Sequence, residues 1–175
     1  MAQGSNLLSV QLETQTAETL SYVVGDSDQS LVISTSVLNH FRKNQQKRWF
    51  HKEAGGQLFA RLLSDQVVIE KATGPRNSDR RTRTQYVPDV RAEQREIDKS
   101  HRDGLHYVGD WHSHPEEIPR PSNDDSVSIS DTFIKSKHHL NGFLLIIVGT
   151  APFPSGLYVS LNNGTNRIVL SERKI

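Results

Sequence analysis

Apolar positions along this chain fall into short runs of period two broken by turn residues, and into three stretches of helical period. Leu7, Leu8, Val10 and Leu12 alternate weakly, as a strand might. Leu20–Val24 reads as a strand, Gly25-Asp26-Ser27-Asp28 as a turn, and Leu31-Val32-Ile33 as renewed extended chain. Ser34, Thr35 or Ser36 then caps a predicted helix running to about Arg48, with Val37, Leu38 and Phe41 on its apolar side. Gln57–Leu63 and Gln66–Lys71 form a hairpin across Ser64-Asp65. Pro88-Asp89 opens a charged helix to about His101 that turns Val90, Ala92 and Ile97 inward, and Asp103-Gly104 ends it. Leu105–Asp110 is a strand leading into His112, and Ser122 is the N-cap of a third helix reaching about Lys137. Strands at 142–149, 156–162 and 166–171 complete the set. Helices alternating with strands imply an α/β class, a mixed β-sheet flanked by helices.

Composition narrows the choices. At 175 residues the chain is expected to be one domain, 1–175, with a single core. It has no cysteine, which excludes disulfides, thiol catalysis, cysteine-ligated zinc and the zinc nucleobase deaminases. A net charge of +1 offers no general attraction to nucleic acid or membrane, and neither is expected as a partner. The N-terminus has no signal-peptide pattern, and the longest apolar run, Gly142–Val148, is far short of the roughly 20 residues of a membrane helix, so a cytoplasmic protein is expected. Arg76, Arg80, Arg81 and Arg83 crowd a turn-rich loop. No aromatic residue interleaves them until Tyr86, which argues against a nucleic-acid patch. The loop either clamps a substrate chain through Arg80, Arg81 and Arg83 or is merely solvated.

The chemistry concentrates in Trp111-His112-Ser113-His114-Pro115 and in Ser122 to Asp125. Residues two apart on a strand share a face, so His112 and His114 present their imidazoles together. Asp125 falls in the first turn of the helix capped by Ser122, where its carboxylate can face the strand end. Two neutral imidazoles and a carboxylate form a common catalytic zinc set with one position left open. Simpler readings exist for each part. Eight histidines can produce a His-x-His pair by chance, and Ser-x-x-Asp is a capping box without chemistry. Ser122 can serve both purposes, because a cap uses the hydroxyl oxygen and leaves its hydrogen free to donate. Glu53, ahead of Gly55-Gly56, can be a solvated carboxylate paired with Lys52. Trp111 either lines a substrate channel or packs behind the site. His138-His139 reads as the basic end of the third helix.

The full pattern His112-x-His114-x7-Ser122-x2-Asp125 resembles the JAMM/MPN-plus (JAB-domain) zinc metalloprotease family at every specified position. The resemblance covers most of residues 20–170 and implies the JAMM fold, which is similar to the cytidine-deaminase fold. It implies one Zn2+ per chain on His112, His114 and Asp125. Glu53 matches the family's glutamate ahead of a glycine-containing strand, and so implies a base that takes a proton from water and passes it to the leaving amine. Ser122 is implied as donor to the developing oxyanion. His51 is the nearest alternative base but is expected to be exposed. Ala60 stands where the family often has glycine, without consequence for catalysis. Members usually cut peptide or isopeptide bonds after the C-terminus of ubiquitin or a ubiquitin-like protein.

Gly109–Pro115 with Pro121-Ser122 resembles more closely the bacterial deconjugating proteases of anti-phage CBASS-type operons. That resemblance implies antiviral defence and a protein substrate with a flexible C-terminal tail, either a cyclic-nucleotide synthase or a ubiquitin-like protein. It also implies an activating-conjugating fusion enzyme encoded nearby. Two other classes stay open. One is a metal-binding or metal-free JAMM-like scaffold, although scaffolds that have lost their ligands show a broken motif and all five positions are intact here. The other is a small-molecule zinc amidohydrolase, which only a substrate assay would exclude.

Overall fold

Burial sorts the strands of this chain. Those apolar on both faces take the middle of one sheet, and those with alternating burial lie toward its edges. The computed structural model describes residues 18–25 and 27–173. Leu7, Leu8, Val10 and Leu12 lie outside them, as does Asp26 of the first turn. In chain order the elements are β1 (Leu20–Val23), β2 (Ser30–Ile33), α1 (Thr35–Lys43), β3 (Gly55–Leu62), β4 (Gln66–Ala72), β5 (Arg80–Arg81) and β6 (Tyr86–Val87). There follow α2 (Val90–Arg102), β7 (His106–Ser113), α3 (Asn123–Lys135), β8 (Phe143–Val148), β9 (Leu157–Asn162), β10 (Arg167–Val169) and β11 (Ser171–Glu172). Nine strands form one mixed sheet in the order β10-β9-β8-β7-β3-β4-β2-β1-β11, and β5 and β6 make a separate hairpin. The β2–β4 and β7–β8 pairs are parallel and the others antiparallel.

Helices cover both faces, as the alternation of elements implied. Val37, Leu38 and Phe41 of α1 pack on the same side as Trp111, Ile146 and Val148. Ile129 and Phe133 of α3 cover the other side, against Phe143, Leu145 and Ile147. The long apolar run is therefore β8, buried along its whole length. Between Leu58 and Phe59 the β3–β7 register slips. A slip of this kind reverses the alternation, and Tyr107 and Asp110 come to share a face, joined by a 2.9 Å hydrogen bond from the tyrosine hydroxyl.

Several boundaries differ from the pattern. The first helix stops at Lys43, about five residues early. Gln45 and Gln46 beyond it are buried and donate their amides to the carbonyls of Gly149 (2.7 Å) and Arg83 (2.9 Å), bonds a continued helix would forbid. Val90 faces solvent, 71 % exposed, because the side of α2 turned to the sheet carries Glu93, Glu96 and Ile97 instead. The third helix ends at Lys135, so His138 lies past it. It bonds the Phe133 carbonyl (2.9 Å) and stacks on Phe133 and Phe143. The final stretch splits at Leu170, and its second half crosses to the far edge, where β11 pairs β1.

Gly56 marks where the sheet meets the loop after β4: a Cβ there would sit 1.9 Å from the Thr73 carbonyl oxygen. Gly56→Ala should therefore force that backbone away and destabilise the fold by about 1–3 kcal/mol, the usual cost of overpacking. Urea unfolding of the variant checks this, and an unchanged midpoint would contradict the contact.

Candidate metal centre and its cleft

β7 runs between β3 and β8, and its last residues place His112 and His114 at the end of the sheet. Their Nε2 atoms face each other at 3.1 Å. Asp125 reaches both, with Oδ1 3.2 Å from His112 Nε2 and Oδ2 3.6 Å from His114 Nε2. Its position is set by the start of α3. Ser122 Oγ accepts from the Asp125 amide (3.1 Å), and Asp125 Oδ2 accepts from the Ser122 amide (2.7 Å), a reciprocal capping box. The simple cap and the ligand geometry are therefore the same arrangement, and Ser122, exposed, keeps its hydroxyl hydrogen for another acceptor.

Glu53 precedes β3 and comes to the same point: one of its carboxylate oxygens and the histidine nitrogens lie within 4.8 Å of one another. Its amide donates to the Thr82 carbonyl (2.8 Å) and its carbonyl accepts from Arg81 Nε (2.6 Å), so the residue is fixed on both sides of its Cα. Burial pushes the Glu53 carboxyl up to about 7, and the Asp125 charge adds to this against the pull of His112 and Arg81. Asp125 moves the other way. Burial opposes its ionisation, but the hydrogen bond and charge of His112, with the Ser122 amide, hold its carboxyl well below the usual carboxylate range. Burial, then the neighbouring His112, lowers the proton affinity of His114 and leaves its ring nitrogen free as a lone-pair donor.

This donor set fits a small divalent cation. A tetrahedral zinc shell with bonds of about 2.0–2.1 Å to nitrogen sets its ligand atoms roughly 3.3 Å apart. The 3.1 and 3.2 Å separations here match that spacing. Glu53 can accept a hydrogen bond beside such an ion without filling the position that makes the site catalytic.

Two hollows meet at the site. One of about 740 Å³ runs between the hairpin residues Thr82, Thr84 and Gln85 and the opposite wall of His114, Pro115, Glu116 and Ser122. The other, about 400 Å³, extends between α2 and α3 toward Glu93 and Asp110. Glu53, Tyr86, Asp125 and Ser128 line both.

Other expected site residues take structural places. Trp111 is buried, packs on Phe41 and His40, and donates from Nε1 to the Thr73 carbonyl (2.9 Å), while its remaining edge contributes to the lining of the hollow between α2 and α3. Arg81 grips the Glu53 and Lys52 carbonyls, and Arg83 the Trp49 carbonyl. Arg80 is exposed on β5. His51 is half-buried, with Nδ1 3.1 Å from the Gln45 carbonyl.

The sequence reading missed a buried polar relay behind the metal site. Ser113 Oγ accepts from the Ala54 amide (2.9 Å) and donates to Gln46 Oε1 (3.1 Å). The two adjacent glutamines inside an otherwise plausible helix were its only sign.

The raised Glu53 predicts a pH-dependent stability difference in metal-free protein. Its contribution is fully present below the ordinary glutamate value of 4.5 and is lost as pH rises through about 7. Glu53→Gln should therefore melt above the wild type at pH 8, with the gap closing by pH 4.5. Thermal scans at the two pH values decide it, and an equal gap at both would contradict the burial of the charge.

With that geometry in hand, comparison with known proteins gives a consistent picture. The family described as "Prokaryotic homologs of the JAB domain" matches residues 34–160. A protein of Enterobacter hormaechei subsp. hoffmannii named "CD-NTase/cGAS isopeptidase" is 30 % identical over 126 residues, covering 70 % of this chain and 69 % of its own. A "Probable metalloprotease" of Sinorhizobium fredii is 38 % identical over 72 residues, 39 % of this chain and 44 % of its own. A solution structure from Desulfitobacterium hafniense shares the fold, with a TM-score of 0.56 at 18 % identity over 82 % of this chain and 89 % of that one. The chain belongs to the prokaryotic JAB family and is a hydrolytic enzyme of the JAMM type.

Proposed function

We propose that the chain is a zinc-dependent isopeptidase or peptidase that cuts after the C-terminus of a conjugated protein and so reverses a ubiquitin-like conjugation. The observation that carries this reading is the convergence of His112, His114 and Asp125 on one point, with the half-buried Glu53 carboxylate against it. Zinc, when bound there, supplies a Lewis acid and a water activated near neutral pH. Glu53 takes a proton from the attacking water and delivers it to the departing amine, a task suited to a carboxyl whose value lies near 7. Ser122 donates its free hydroxyl hydrogen to the carbonyl oxygen as charge gathers on it. Asp125 stays ionised throughout, because its two hydrogen-bonded neighbours favour the charged form.

An extended substrate tail fits the larger hollow, between the hairpin residues 82–85 and the Pro115-Glu116 wall. Backbone pairing with a strand edge beside the site would hold such a tail, with its carbonyl turned to the histidines. The name of the Enterobacter relative supports a CD-NTase, a cyclic-nucleotide synthase, as the conjugated protein. In this reading residues 1–175 act as one domain in the cytoplasm, alongside an activating-conjugating enzyme and in antiviral defence.

Purified without chelator, the protein should carry about one zinc per chain by elemental analysis, and His112→Ala should lose it. Glu53→Gln should keep the zinc yet lower kcat by about 10²–10⁴, the usual range for a general acid-base group. A CD-NTase carrying a reporter at its C-terminus should be cut at the junction, as mass spectrometry can locate. Cuts scattered through unfolded protein, or full activity in Glu53→Gln, would defeat the reading.

A further inference from the structure

The segment between α1 and β3 ends in an aromatic pair that the hydrolytic chemistry does not use. Trp49 is 80 % exposed and Phe50 55 %. Their rings meet edge to face, with centroids 5.8 Å apart at 89°, and Phe50 meets His51 in the same way at 5.1 Å. The Arg48 guanidinium lies over the Phe50 ring at 5.9 Å. Single exposed apolar residues are ordinary, but two large adjacent aromatic rings held in water form a patch that needs a reason.

The backbone beneath this pair is fixed. Arg83 donates to the Trp49 carbonyl, the His51 amide to the Arg48 carbonyl (3.0 Å), and the buried Gln46 to the His51 carbonyl (3.4 Å). A preformed aromatic surface of this kind loses little conformational entropy on binding, which is what interface anchors require.

The two segments that build the patch carry exposed charge of one sign, while the acids Glu116 and Asp124 lie on the cleft beyond it. Lys47, Arg48 and Lys52 lie in the same segment, which holds no carboxylate from 44 to 52, and Arg80 and Arg83 come from the hairpin. The nearest acids on these two segments are turned inward. Asp79 accepts from the Tyr86 hydroxyl and the Arg76 and Asp89 amides, and Glu53 faces the histidines. The patch also adjoins the cleft: Arg83 holds Trp49, while Thr82 and Thr84 on either side of it line the hollow.

We propose that Trp49 and Phe50 form a docking surface for the folded body of the protein substrate, through an apolar patch on that body rimmed by carboxylates. The substrate's tail then runs from this anchor past the hairpin to Glu53. The proposal rests on the peptidase reading above. Aromatic rings among cations also suit single-stranded nucleic acid, where successive bases stack on ring faces. The perpendicular rings here do not offer two parallel faces, and the patch continues into a cleft built for a peptide, so a protein is favoured.

The chain carries its own reporter. Of its two tryptophans, Trp111 is 1 % exposed, so fluorescence that acrylamide quenches comes from Trp49. In the Glu53→Gln protein, a CD-NTase–reporter fusion with its own tryptophans replaced by phenylalanine should shield Trp49 from acrylamide. In the active enzyme, Trp49→Ala with Phe50→Ala should lower the ratio of kcat/KM for the folded fusion to that for its isolated tail peptide by about tenfold or more, as expected of an aromatic anchor. Single substitutions should each give part of that fall, and circular dichroism confirms that these surface variants fold.

If Trp49 stays open to acrylamide, or the ratio does not move, the docking surface is wrong, while cleavage of the peptide leaves the peptidase reading standing. If Trp49 is shielded yet neither substrate is cut by the wild type, docking holds and the peptidase reading fails. Shielding by oligo-dT in preference to the fusion, or by raising the enzyme's own concentration, overturns the proposal in favour of nucleic acid or a second copy.

Discussion

The ladder between β3 and β7 sets everything at this site. Gly55 stands opposite His112, and just past the strand end the Ser113 amide donates to the Ala54 carbonyl at 2.7 Å while Ser113 Oγ accepts from the Ala54 amide at 2.9 Å. The residue between the two histidines is thus bonded on both sides to the residue after Glu53. Glu53 and the two histidines cannot drift apart without breaking buried hydrogen bonds, which cost far more to leave unmade than they contribute when formed. Gly55 admits a further neighbour. A Cβ there would fall 2.6 Å from the Tyr86 ring, so only glycine lets the hairpin lie this close to the ladder.

Within that frame the two acids diverge. Glu53 and Asp125 both lie beside His112, yet burial raises one to about 7 and hydrogen bonding holds the other far below its ordinary range. Such a split is how two carboxyls in one site take different roles. Asp125 owes its behaviour first to the hydrogen bond and charge of His112, and then to the Ser122 amide at the start of the helix, which together outweigh its burial. Glu53, fixed by its backbone in a cleft, receives no comparable set of donors on its carboxylate. A permanent anion and a titratable group near neutrality are thus consequences of where each acid sits relative to helix and strand.

The candidate ligands were legible because their geometry is local. Strand alternation brings His112 and His114 together, and a helix cap aims Asp125, so spacing along the chain fixes spacing in space. Glu53 was legible only through family likeness, since it lies 59 residues before His112 and joins it through sheet pairing, which no local pattern reveals. The same limit explains the misread parts. α1 ends early because Gln45 and Gln46 answer to carbonyls of remote segments. Val90 faces outward because a buried ionic cluster occupies the inner side of α2, reversing the hydrophobic rule on which the expectation rested. Trp111 combines both readings the pattern allowed, since it packs on Phe41 and His40 and also borders the hollow beside the site.

The arginine-rich loop is tied into the site by its own side chains. Arg80, Arg81 and Arg83 were expected either to clamp a substrate chain or to be solvated, and the backbone bonds of Arg81 and Arg83 add a structural part that neither reading included. Arg76 ties the loop to Glu93 and Glu96 of α2, Arg81 holds the Glu53 carbonyl and Arg83 the Trp49 carbonyl. Since the Glu53 amide also donates to Thr82, the hairpin and Glu53 form one mechanical unit. Displacing this wall would carry Glu53 away from the histidines, and under the proposed mechanism misplacement of about 1 Å can cost a hundredfold in rate. In that proposal a tail that adds to the wall as it stands is favoured over one that must move it.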